Sequence, residues 1–122
     1  MKEKSVKLLK YESLLTELIG EAVGQLRDER LCGLNVLSVE CAKGKDNATV
    51  YLDGSDITSS ERQEILKQLK ISSGFIVKYC LALEDWYKMP KLAFKFDDSL
   101  AQKMKLEEIF HKLELERTKE ND

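Results

Sequence analysis

Apolar and polar residues alternate over only three short stretches of this 122-residue chain, and three strands are too few to bury a sheet face without helices laid across it. The last stretch is the cleanest. Leu92, Phe94 and Phe96 fall between Lys91, Ala93 and Lys95, and Pro90, the single proline, disfavours helix at Met89. In the second stretch Ala48, Val50 and Leu52 alternate with Thr49 and Tyr51. The first, Leu34 to Ala42, is rich in β-branched and apolar residues, and Gly44-Lys45-Asp46-Asn47 supplies turn chemistry behind it, so these two strands are expected to form a hairpin. Its first strand slips phase between Val36 and Leu37, which predicts a bulge or burial on both faces.

The rest of the chain carries helical spacing. Leu8, Tyr11, Leu15, Leu18, Ala22 and Leu26 recur at steps of three and four, predicting an amphipathic helix from about Ser5 to Arg27, stopped by the charged run Arg27-Asp28-Glu29-Arg30. Ser60 stands three before Gln63, a capping-box spacing, and Ile65, Leu66 and Leu69 mark a short helix ending near Ile71. Ser72-Ser73-Gly74 then predicts a break or kink before another helix, whose apolar face is Phe75, Ile76, Tyr79, Cys80 and Leu83. Asp97-Asp98-Ser99 is expected to cap a last helix, with Ser99 three before Gln102 and with Leu106, Ile109, Phe110 and Leu113 on its apolar side. The expected order is α-β-β-α-α-β with a C-terminal helix: an α+β fold whose three-stranded sheet is covered by helices on one side, the topology of a type II KH domain.

With 43% hydrophobic and 34% charged residues, residues 1–122 hold one core and one domain, ordered over about 5–114, with 115–122 a flexible polar tail. No apolar run approaches the roughly 20 residues of a membrane span, and Met1 to Lys10 alternates charge with leucine instead of forming a leader; a soluble, cytoplasmic protein is expected. Cys32, Cys41 and Cys80 fit neither a disulfide framework nor a CxxC metal knuckle and are read as reduced, mostly buried side chains.

The net charge of -2 hides an uneven distribution. Seven basic residues against three acidic lie between Arg62 and Lys95, a balance of +4, whereas five basic against eight acidic follow from Phe96 onward, a balance of -3. One face suited to an anionic partner is implied. Its candidate cations are Lys67, Lys70, Lys78, Lys88, Lys91 and Lys95, joined by Lys43 and Lys45 of the hairpin turn. On sequence alone each serves equally well as a solvated surface charge.

Four short signatures now give the chain a family resemblance. Asp28-Glu29-Arg30-Leu31 follows the first helix, Ala48-Thr49-Val50-Tyr51 lies on the second strand, Ser72-Ser73-Gly74-Phe75-Ile76 lies between the central helical patterns, and Pro90-Lys91-Leu92-Ala93-Phe94 opens the third strand with Asp98-Ser99 behind it. In this order they resemble the bacterial ribosome-binding factor A family, with Glu29 where proline is usual and Ser72 where alanine is. The resemblance implies a KH-like domain in which the Ser72-Ser73-Gly74 kink replaces the usual GxxG phosphate clamp. It also implies a non-catalytic assembly factor that binds the free small (30S) ribosomal subunit and its 16S RNA. Such a factor aids late maturation near the RNA's 5′ end and adaptation to cold, acts as a monomer, and needs no cofactor or metal. Departing from the family, the helix after Gly74 carries Lys78 but no run of arginines.

Other chemistry-bearing residues favour packing. His111 has no second histidine or nearby nucleophile, and no cysteine has an evident base, so no enzyme constellation emerges. Trp86 and Tyr87 beside Lys88 are read as sealing the core rather than stacking on a base. Asp97-Asp98 suits a helix N-terminus, and Glu107-Glu108 a solvated face. A protein-interaction or dimerisation module, using the sheet edge or the C-terminal helix, is the competing function.

Overall fold

Ser5 opens the first helix: its side chain accepts the Leu8 amide at 3.1 Å, and α1 runs Val6–Gly24 with Leu15, Leu18, Ile19, Ala22 and Val23 buried along one face. The computed structural model describes residues 5–42, 46–84 and 86–120. After α1 the chain does not simply stop. Asp28 accepts the Arg30 amide at 2.9 Å and caps a one-turn helix, α2 (Glu29–Cys32), that seats Leu31 in the core. The charged run that looked like a terminator therefore holds a second helix start.

The hairpin forms as its turn residues imply. Strand β1 (Val36–Cys41) pairs antiparallel with β2 (Asn47–Asp53), and the register shifts between Val36 and Ser38, where the sequence slips phase. Strand β3 (Lys91–Asp97) joins β2 in parallel, Val50 opposite Phe94, so β2 is central and the order is β1-β2-β3. Alternation along β2 buries Ala48, Val50 and Leu52. Two helices that pack on one another cover this face: α1 against β1, and α3 (Ser59–Glu84) against β3. The expected α+β fold, a three-stranded sheet with helices on one side, is thus observed. Fully burying each aliphatic side chain in this layer contributes roughly 1.5–3 kcal/mol.

The central helical region differs from expectation. Helix α3 is a single 26-residue helix that neither ends near Ile71 nor breaks at Ser72-Ser73-Gly74. Ile65, Leu69, Ile76 and Cys80 are its buried residues, and their spacing carries one apolar face straight through the three small residues. A mid-helix glycine costs only about 1 kcal/mol, less than burial of that continuous face provides, and Ser73 returns its hydroxyl to the Lys70 carbonyl at 2.8 Å. The helix also starts earlier than Ser60: Thr58 caps it, its hydroxyl accepting the Glu61 amide at 3.3 Å and donating to the Glu61 carboxylate at 3.1 Å.

Helix α4 (Ser99–Glu120) completes the chain. Its cap oxygen comes from Asp97, which accepts the Ser99 amide at 2.8 Å, rather than from Ser99 itself. The apolar side foreseen for it exists, yet Leu106, Ile109, Phe110 and Leu113 all face solvent. Of the cysteines, Cys41 and Cys80 are buried, Cys32 is exposed, and all three are reduced thiols. Trp86 packs on Tyr11 with ring centroids 5.3 Å apart, while Tyr87 is fully exposed instead of sealing the core.

Candidate nucleic-acid interface

Pairing β3 with β2 brings the start of β3 beside the middle of α3, and the sequence places lysines on both. The result is an open groove of about 510 Å³ lined by Lys70, Ser73, Gly74, Val77, Lys78, Lys91 and Leu92. Lys70, Gly74 and Lys78 are spaced four apart, one above another on the exposed side of α3, while Val77 and Leu92 supply an apolar floor. A Cβ built on Gly74 meets nothing within 4 Å, so the groove is open beside this residue. No acidic residue lies in α3 between Ile65 and Leu83, and the three lysines there keep the local potential positive.

Five of the candidate residues therefore share one site: Lys70, Ser73, Gly74, Lys78 and Lys91. The others sit elsewhere. Lys67 is exposed on α3 one turn before Lys70 and Ile71. Ser72 is half-buried and does not line the groove. Strand alternation puts Lys95 across from Tyr51 in the sheet register, and Lys88 lies 3.7 Å from the Asp46 carboxylate. Lys43 and Lys45 lie outside the described residues.

Sequence reasoning missed part of this surface. Helical spacing puts Phe75 and Leu83 on a core face, yet they are 47% and 54% exposed, and Ile71 is 69% exposed. The signal was present: once α3 is read as one helix, the phase of Ile65, Leu69, Ile76 and Cys80 places Ile71 and Phe75 outside the buried stripe.

Charge reverses along α3. Glu61 and Glu64 near its start join Glu29 and Arg30 around a second groove of about 470 Å³, and Arg30 is already engaged by Asp28 at 2.9 Å. A phosphate-bearing partner is repelled there and attracted at the lysine end. The core thiol of Cys80 is pushed up to about 11, by burial first and then by Glu21, the opposite of what a nucleophile needs. Among the described residues no helix is long and apolar enough to cross a membrane.

Comparison with known proteins agrees with this fold. A ribosome-binding factor A of Wolinella succinogenes is 49% identical over 117 residues, covering 96% of this chain and 98% of the relative. The solution structure of a Thermotoga maritima protein described as a putative ribosome binding factor A superposes with a TM-score of 0.66 at 29% identity, over 78% of this chain and 91% of the other. Thermus thermophilus ribosome binding factor A, in coordinates fitted into a cryo-EM map of its 30S complex, shares the fold at a TM-score of 0.58 and 21% identity, over 71% and 91% of the two chains. The family model for ribosome-binding factor A matches residues 7–110, from the first helix into α4, and the chain belongs to that family.

Proposed function

We propose that this chain binds the free 30S ribosomal subunit and, without covalent chemistry, assists late maturation of its 16S RNA, including near the 5′ end and during adaptation to cold. The observation that carries this reading is the groove between α3 and β3, where Lys70, Lys78 and Lys91 surround the open space at Gly74. Membership of a ribosome-binding family and the 30S complex of the Thermus thermophilus protein support it. Lysines at a groove that leaves backbone accessible suit folded RNA, whose phosphates dominate affinity and whose shape sets the docking position. Lys67, Ser72, Lys88 and Lys95, with Lys43 and Lys45, extend the contact beyond the groove. The protein acts as a cytoplasmic monomer, a single domain with an ordered core over about 5–114 and 115–122 as its polar tail, the part of it up to Glu120 continuing α4.

Binding of this kind remodels RNA only through differential affinity. A factor that shifts an RNA from one part in a hundred to ninety-nine must bind the favoured form about 10⁴-fold more tightly, or about 5.5 kcal/mol.

Co-sedimentation with isolated small subunits, large subunits and assembled ribosomes at low and moderate salt tests the proposal. Selective association with small subunits, weakening as salt rises, is expected. Replacing Lys70, Lys78 or Lys91 with alanine should reduce the salt slope by about one unit each. No association at either salt overturns the reading.

One observation favours a second reading. The exposed Leu106, Ile109, Phe110 and Leu113 make α4 a ready surface for a protein partner or a second copy. Such binding changes little with salt, which separates the two.

A further inference from the structure

Phe75 is the large aromatic of α3 that turns outward, and its surroundings are cationic. It is 47% exposed, Ile71 one turn earlier is 69% exposed, and Lys67 and Lys78 flank the pair on the same side of the helix. Gly74, its neighbour in the chain, adds no side chain to this exposed stretch of the helix. Half-buried Tyr79, one turn further along, lies beside it, ring centroids 6.3 Å apart and planes tilted by 35°. Gripping a duplex backbone needs lysines alone. An outward aromatic between lysines suits an unpaired base, whose ring stacks while its phosphates meet the cations.

We propose that Phe75 stacks on an unpaired nucleobase of the ribosomal RNA, with Ile71 as the apolar step beside it and Lys67 and Lys78 on the adjoining phosphates. This deepens the reading above and rests on it. The RNA element recognised is then a loop, bulge or single-stranded end rather than the side of a helix. A protein partner is the less suited occupant, since Ile65 to Leu83 offers lysines and no acidic residue to a surface of mixed charge.

The test is the affinity of purified 30S subunits for the whole protein carrying Phe75→Ala, Phe75→Leu, Phe75→Tyr or Phe75→Trp, each across a salt series. Thermal melting accompanies every variant, and the outward position of the ring predicts that all fold. Stacking predicts about tenfold weaker binding for the alanine and leucine variants. It predicts recovery in the tyrosine and tryptophan variants, and an unchanged salt slope throughout. Wild-type affinity in Phe75→Ala overturns the stacking role while leaving 30S binding intact. Recovery by leucine also overturns it, showing apolar contact without a base. Failure of the unaltered protein to bind overturns the underlying reading and this one together.

Discussion

Arg62 grips both carboxylate oxygens of Asp98, at 2.9 and 2.7 Å, and so ties the first turn of α3 to the point where β3 gives way to α4. The same guanidinium donates to the carbonyls of Gly54 at 2.7 Å and Ile57 at 3.1 Å and lies 5.2 Å from the centroid of the Phe96 ring. One planar fork thereby joins the β2–α3 loop, a helix start and the end of the sheet, which a point-charged lysine could not do.

This link has a pH signature. The hydrogen bond from Arg62 holds the Asp98 carboxyl below its ordinary range. A depressed folded-state value means the contribution is present above about pH 4 and is lost as pH falls through the lower folded value. Asp98→Asn should melt below the wild type at pH 7, and the gap should close under acid conditions. Asp28 and Asp97 are depressed as well, so both proteins retain an acid limb and the difference between their melting curves is the informative quantity. A gap constant from pH 7 to pH 2 contradicts the assignment.

Gly54 is fixed by the same link. A Cβ there would lie 2.5 Å from Arg62 Nη2 and 2.8 Å from Asp98 Oδ1, and the guanidinium is too fully bonded to step aside freely. Gly54→Ala should cost about 1–3 kcal/mol in denaturant unfolding, as overpacking does. In an Arg62→Ala background the same substitution should cost less, because the guanidinium is gone and the Asp98 carboxylate it held is free to turn aside.

Gly74 behaves oppositely. It sits mid-helix with open space around it, so Gly74→Ala should raise stability by about 0.5–1 kcal/mol. If the groove needs close backbone approach, the stabilised variant should nonetheless bind small subunits more weakly. Urea unfolding and co-sedimentation on one sample separate the two effects.

The cysteines give an alkaline counterpart. An unfolded thiol ionises near pH 8.5, whereas folding pushes Cys80 up to about 11. Because the folded value is raised, stability is complete below about 8.5 and declines as pH rises towards 11, by on the order of 3 kcal/mol. Cys80→Ala should lose this limb while being less stable at neutral pH. In native protein at pH 8, a thiol reagent should label Cys32 rapidly and Cys41 and Cys80 only on unfolding.

The sheet was legible because strand signals are local. Period-two alternation marked β2 and β3, and the slip at Val36 and Leu37 marked the bulge. Lys70, Ser73, Gly74, Lys78 and Lys91 were all named as candidates, but nothing local says that β3 returns beside the middle of α3, the pairing that makes them one groove. The misreadings share a cause. Ser72-Ser73-Gly74 has the composition of a break, and only the buried face spanning it, supplied by the sheet, holds α3 together. Likewise the one-turn helix at Glu29–Cys32 exists because Leu31 finds the core, which its charged neighbours conceal. Asp98 looked like helix-end charge, and its partner Arg62 lies a whole helix and strand away in the chain.

The parallel pairing of β2 with β3 sets a folding order. Helix α1 and the β1–β2 hairpin close over short stretches of chain, but Val50 cannot meet Phe94 until all of α3 has been laid down between them. During synthesis the N-terminal half can collapse early, with one edge of β2 waiting for its last partner. Lys70 and Lys78 already exist at that stage, and Lys91 joins them only when β3 docks. The basic groove is thus among the last features to appear, and an unfinished chain carries its two helical lysines without the strand that closes the groove beside them.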